Sequence, residues 1–137
     1  MGSVLLPGMI KKETKPEIKE GMKKDQKEVI LEKTAKEYFA SAEDELLKGR
    51  HNSAVVLFFK SLIALCDLYV FQNTGDTPSS HTGRFSITRE KYPDVYDLLD
   101  KDFPFYQNSY VQIMSKDLAE AIKDDVKIMA EKTKIDL

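Results

Sequence analysis

The chain has one cysteine, Cys66, and two histidines, His51 and His81, among its 137 residues. A lone thiol cannot close an intramolecular disulfide, so the fold must rest on its core. So few nitrogen and sulfur ligands also argue against a metal. Neither histidine has the Glu three residues earlier that a di-iron bundle uses; Lys48 and Pro78 stand there instead. The six glycines are scattered, and none falls in a Walker or dinucleotide pattern that would cradle a phosphate. Neither a metal nor a cofactor is expected. Excess charge of either sign is absent too. With 21 Lys plus Arg against 23 Asp plus Glu, the formal charge is -2, and any polyanion would have to be recognised locally rather than by a general basic field. Strand-like alternation, internal repeats and low-complexity tracts are missing.

Targeting signals are also lacking. Met1 to Ile10 has no basic region ahead of its apolar residues, and Pro7 and Gly8 interrupt them, so the start does not read as a secretory signal. Leu6 occupies the place where a myristoylation motif wants Ser or Thr. The expected location is the cytoplasm. One long apolar stretch, Ala54 to Phe71, carries Lys60 and Asp67 in its middle. Each would cost about 2.5 to 3.5 kcal/mol at a bilayer centre, so a buried central helix is expected rather than a membrane span.

What is present is a helical pattern. With 42% hydrophobic residues the chain has room for one compact domain. Residues 1–24, Lys-rich and broken by Pro16 and Gly21, read as a flexible arm, and residues 25–137 as a helical bundle domain. Leu31, Ala35, Tyr38, Phe39, Ala42 and Leu46 recur at three- and four-residue spacing and define an amphipathic helix ending at Gly49. A second helix, capped by Asn52 or Ser53 and running to about Gln72, is apolar nearly all round. Ser80 to Asp102 reads as a Ser80-His81-Thr82-Gly83 turn and two short helices broken at Tyr92-Pro93. Asp102 to Ser109, with Pro104, reads as a packed aromatic loop. A last helix starts after Ser115 and carries Leu118, Ala121, Ile122, Val126 and Met129. The fold class is therefore all-α, an up-and-down bundle of three long helices and one or two short ones.

Several residues could carry chemistry. Ser53, Lys60, Asp67 and Thr74 repeat every seven residues on the second helix and form one polar stripe, which either faces solvent or lines a polar groove. A charge row on a helix is ordinarily its wet face, so solvent is the expectation. Cys66 lies among leucines and reads as inert core. Glu43-Asp44-Glu45 and Asp124-Asp125 read as solvated acids. Basic clusters occur in the arm, Lys11 to Lys27, and at Arg84, Arg89 and Lys91. Phe103, Phe105, Tyr106 and Tyr110 could stack a base, although loop aromatics more often close the end of a bundle.

The run Ala42-Glu43-Asp44-Glu45-Leu46-Leu47-Lys48-Gly49-Arg50-His51-Asn52-Ser53-Ala54-Val55, continuing Phe58-Phe59-Lys60-Ser61-Leu62-Ile63-Ala64-Leu65, resembles the first two helices of HEPN domains. Those helices join through a Gly-basic turn followed by a small residue and an aromatic pair. Thr77-Pro78-Ser79-Ser80-His81-Thr82-Gly83 is similar to the family's Thr-His-x-Gly-like entry to its middle segment, and Ser115 to Met129 to its closing helix. The resemblance covers Asp25 to Thr133. It implies a helical bundle that commonly forms homodimers. It also implies either metal-independent RNA cleavage or service as a binding partner, often of a minimal nucleotidyltransferase in toxin and antitoxin pairs. Cleaving members carry an Arg followed within a few residues by a His near the start of the last helical region. Tyr106 to Gln112 contains neither.

The expectation is thus a non-catalytic, HEPN-like binding or regulatory module, with no catalytic residues. Its candidate nucleotide- or partner-contacting residues are Lys60, Asp67, His81, Arg84, Tyr106 and Tyr110. The expected associates are a second copy of the chain, a nucleotidyltransferase-like protein, a nucleotide or RNA, and no membrane. The alternatives are a divergent toxin-like RNase and a nucleic-acid accessory protein acting through its basic arm.

Overall fold

A computed structural model describes residues 14–137, with side chains from Gln26 onward, and the chain divides into two units, Met1–Ile30 and Leu31–Leu137. Among the described residues five helices are formed: α1 (Thr14–Leu47), α2 (His51–Thr74), α3 (His81–Lys91), α4 (Pro93–Asn108) and α5 (Lys116–Thr133). The protein is all-α, a helical bundle. The arm read over residues 1–24 lies outside the described residues as far as residue 13, and α1 begins at Thr14, within its span. Pro16 is compatible with that start, because the first four N–H groups of a helix have no intrahelical partner.

Gly49 and Gly75 end α1 and α2 in the left-handed conformation, at φ 76° and 83°. Their lack of a Cβ is what makes these stops inexpensive. After Gly49 the chain reverses tightly, and α2 returns along α1. The buried hydroxyl of Ser61 donates to the Ala35 carbonyl at 2.8 Å, and Phe39 meets Phe58 edge-on at 5.6 Å. These pairings fix an antiparallel register, and fully buried Ala35 and Ala42 allow close approach.

Helix α2 forms the centre of the bundle, with Val55, Phe58, Phe59, Leu62, Leu65, Leu68 and Val70 all buried. Its length and composition alone would suffice to cross a membrane, yet 72% of its most apolar window is buried among the other helices. Helix α4 runs antiparallel to α2, since Tyr92 meets Tyr69 at one end while Tyr106 stacks on Phe59 further along. Helix α5 packs extensively on α2 and runs parallel to it, from Met114 beside Asn52 to Thr133 beside Gln72. Helices α1, α2, α4 and α5 therefore alternate in direction, with α3 in the connection from α2 to α4 and packed on α4.

Three elements differ from the sequence reading. The Ser80 to Gly83 segment opens α3: the Ser80 hydroxyl caps the helix by accepting from the Gly83 N–H at 2.9 Å. Asp102 to Asn108 is helical, not a loop, with Ser109 as the C-cap, so the bundle has four long helices and one short one. Pro104 lacks the N–H that would reach the Asp100 carbonyl, but both residues are exposed, so water can serve that carbonyl while Phe103 and Tyr106 pack inward. Asn52 does not cap α2. Its side chain instead donates to the Ser109 and Gln112 carbonyls, at 2.8 and 2.7 Å, and accepts from the Met114 N–H at 2.9 Å. Asn52→Ala should therefore loosen the 109–115 loop locally. The expected cost is about 1 kcal/mol in global stability, with faster amide exchange confined to that loop.

Candidate functional site

Five of the six sequence candidates meet on one side of the bundle. Arg84, on the first turn of α3, reaches back to Asp67 on α2 with two parallel hydrogen bonds, Nε to Oδ1 at 2.7 Å and Nη2 to Oδ2 at 2.8 Å. Each side chain is 12% exposed. Asp67 thus corrects the expectation of a solvated stripe: Ser53 and Thr74 are exposed and Lys60 half-buried, but Asp67 is buried against a guanidinium. Burial opposes the charge on Arg84, yet the hydrogen bonds and charge of Asp67 prevail and hold it protonated.

The remaining Arg84 nitrogen, Nη1, donates to His81 Nδ1 at 3.2 Å. This contact assigns the neutral tautomer to His81, with its proton on Nε2. Partial burial and the Arg84 charge both lower the His81 pKa, which favours the same form.

An aromatic series continues from His81. Its ring lies 4.5 Å from Phe103 and 5.0 Å from Phe85; Phe103 is 6.0 Å from Phe59, and Tyr106 stacks on Phe59 at 4.9 Å. Lys60 Nζ stands 6.0 Å above the Tyr106 ring. At the other end Arg89 covers Tyr96 at 5.2 Å and donates to its hydroxyl at 3.3 Å. Between α3 and the start of this series lies an open groove of about 450 Å³, lined by His81, Thr82, Phe85, Arg89 and Phe103 among others. Its walls offer π faces, a hydroxyl and a cation together. The helical spacing of His81, Phe85 and Arg89 aligns them on one face of α3.

Tyr110 does not join this group. It is 93% exposed at the tip of the loop that Asn52 clamps, beside Val111 and Ile113, the latter 96% exposed. His51 is separate as well: Phe59, the first α2 member of the cluster, lies eight residues and about 12 Å further along the helix. Among the described residues no group of three or more His, Cys, Asp or Glu could hold a metal ion. Cys66 is completely buried, and desolvation raises its thiol far above the usual range.

A second polar cluster escaped the sequence reading. Asp125 was expected to be a solvated acid; it is 4% exposed and faces Asp102 of α4, which is 2% exposed. Their side chains are within hydrogen-bond reach of each other, and Lys101 Nζ approaches Asp125 at 3.0 to 3.2 Å. In sequence Asp125 is simply the second of two acids. Only its place in the buried Ile122, Asp125, Val126, Met129 stripe could have marked it.

The chain matches no protein-family model and no curated protein.

Proposed function

We propose that the protein is a non-catalytic, HEPN-like binding module whose ligand, a nucleotide or short RNA, stacks in the groove between α3 and α4. The observation that carries this reading is the aromatic series from Phe85 through His81 and Phe103 to Tyr106, bounded by Arg89 and Lys60. Bases stack on such platforms at about 1 to 3 kcal/mol each, and flanking cations attract the phosphates. Arg84 contributes position rather than charge, because Asp67 neutralises it.

Support for a non-catalytic role comes from the same geometry. Acid–base cleavage of RNA needs a proton donor and a proton acceptor about the scissile phosphate. His81 is held neutral, its Nδ1 is occupied by Arg84, and His51 stands apart. An Arg84 committed to Asp67 is poorly placed to stabilise a developing oxyanion.

Pairing with a second copy, or with a nucleotidyltransferase-like partner, belongs to the same proposal. The exposed apolar tip Tyr110, Val111 and Ile113, held in place by Asn52, offers a surface for it. The cytoplasm is the location this reading suits.

Fluorescence anisotropy with labelled ATP and a short single-stranded RNA tests the groove, and native mass spectrometry of the same samples reports subunit number. Phe103→Ala and Arg89→Ala should each weaken binding about tenfold, equivalent to about 1.4 kcal/mol. Binding that both variants leave intact would remove the groove from the proposal. A shortened RNA would replace the module by an RNase.

A further inference from the structure

The two buried carboxyls at the α4–α5 seam have no role in the groove chemistry. Asp102 projects from α4 and Asp125 from α5 into a space closed to solvent; with both written as anions, Oδ2 of Asp102 has no protein donor, while Oδ2 of Asp125 has the Lys101 ammonium at 3.0 Å. Two facing carboxylates that share a single lysine, held by one of them alone, repel each other at short range, and burial of the unpartnered one is strongly unfavourable. One proton removes the conflict, because a protonated Asp102 can donate its O–H to ionised Asp125, whose charge Lys101 then balances.

Other charged or titratable groups in this region leave that balance intact. From α2 the fully buried Cys66 thiol feels the Asp102 charge and stays protonated, and Asp67 is already paired with Arg84 of α3. Along the α4–α5 seam the other ion pair is Asp94 to Lys132, a loose contact of 3.7 Å at a largely exposed carboxylate. Lys101 is more than half exposed and reaches Asp125, not Asp102. The proton is therefore the group that joins Asp102 to α5.

We propose that Asp102 and Asp125 form a proton-operated latch that holds α4 against α5 and so sets the position of Phe103 beneath His81. Phe103 follows Asp102 directly in α4, and its ring reaches His81, Phe85 and Phe59. Loss of the proton to solvent leaves two buried anions, and the strain falls on the helix that forms one wall of the groove. Burial, then the hydrogen bond and charge of Asp125, push the Asp102 carboxyl up to about 8. In an opened α4 the same carboxyl returns to the ordinary range, near 3.8. Between those values the closed seam holds a proton that the open one has lost. Opening therefore becomes easier by up to about tenfold per pH unit, and levels off above about pH 8. The latch is strongest in mild acid and weakest in mild alkali. It does not depend on the ligand-binding reading.

Amide exchange of the full chain without ligand, corrected for the intrinsic chemical rate, tests the latch. Protection of residues 93–108 should fall by up to about tenfold per pH unit from pH 5 to pH 8 and then level. Asp102→Asn supplies a permanent N–H donor to Asp125 and should keep that protection constant over the same range. Carbon NMR of the carboxyl groups in the parent protein gives a second readout that needs no variant. A step near pH 8 at the Asp102 carboxyl is expected. An Asp102 step below pH 5, or parent protection that does not change between pH 5 and pH 8, would overturn the proposal.

Discussion

Phe59→Ala should lower unfolding free energy by about 3 to 5 kcal/mol, the largest loss expected from any single side chain here. Phe59 is fully buried in α2, the central helix, which packs on α1, α4 and α5. Its ring supports Tyr106 at 4.9 Å and Phe103 at 6.0 Å, so truncation opens a cavity beneath α4 as well as removing transferred area. In an all-α body of this size the melting temperature should fall by roughly 10 to 20 °C. Phe59→Leu keeps most of the apolar volume and should cost less than half as much. Urea denaturation checks both, through a lower midpoint at unchanged slope. A loss below about 1 kcal/mol would mean that α4 collapses onto α2 without this ring, and that the aromatic series is not a fixed platform. Because Phe59 lies under the groove rather than in it, a proportional loss of ligand affinity in folded Phe59→Leu would show that platform rigidity matters to binding.

Much of this architecture is legible because local rules and tertiary packing agree at the places concerned. Gly49 stops α1, Pro93 starts α4 one residue after the break at Tyr92, and Ser115 caps α5 by accepting from the Leu118 N–H. At each of these positions a single residue type satisfies a backbone requirement, so the sequence speaks directly. Where the two levels disagree, the sequence misleads. Pro104 reads as a break, but the aromatic face of α4 packs well enough to carry one lost hydrogen bond. Asn52 reads as a cap, but the chain brings Ser109, Gln112 and Met114 to it from about 60 residues away, and their backbone groups claim its amide. The candidate site divides in the same way. Lys60 and Tyr106 stand out by residue type and position, whereas the Asp102 and Asp125 pair depends on the α4–α5 register, which no local pattern encodes. The polar stripe on α2 was visible, but the partner that withdraws Asp67 from water lies 17 residues further on, across a turn.

That partner makes Asp67→Asn the most informative polar substitution. The variant keeps the shape of the side chain but leaves the Arg84 guanidinium, 12% exposed, without its counter-charge. Uncompensated burial of this kind costs about 3 to 5 kcal/mol at deep sites; the slight opening to solvent here places the expectation near the lower bound. Added salt should restore little, since ions screen buried pairs weakly. The double variant Asp67→Leu with Arg84→Met removes both charges and should recover most of the loss, because apolar replacement of a buried pair is often neutral or stabilising. A double-mutant cycle on denaturation midpoints should then give a coupling of at least about 1 kcal/mol. The same experiment bears on function. If the coupling is large, Arg84 is a structural brace that orients His81, and the variant with Leu and Met should bind nucleotide only as well as its altered His81 allows. If the coupling vanishes while Asp67→Asn binds RNA more tightly, the carboxylate is masking a phosphate-binding arginine, and the reading of Arg84 as a positioning residue fails.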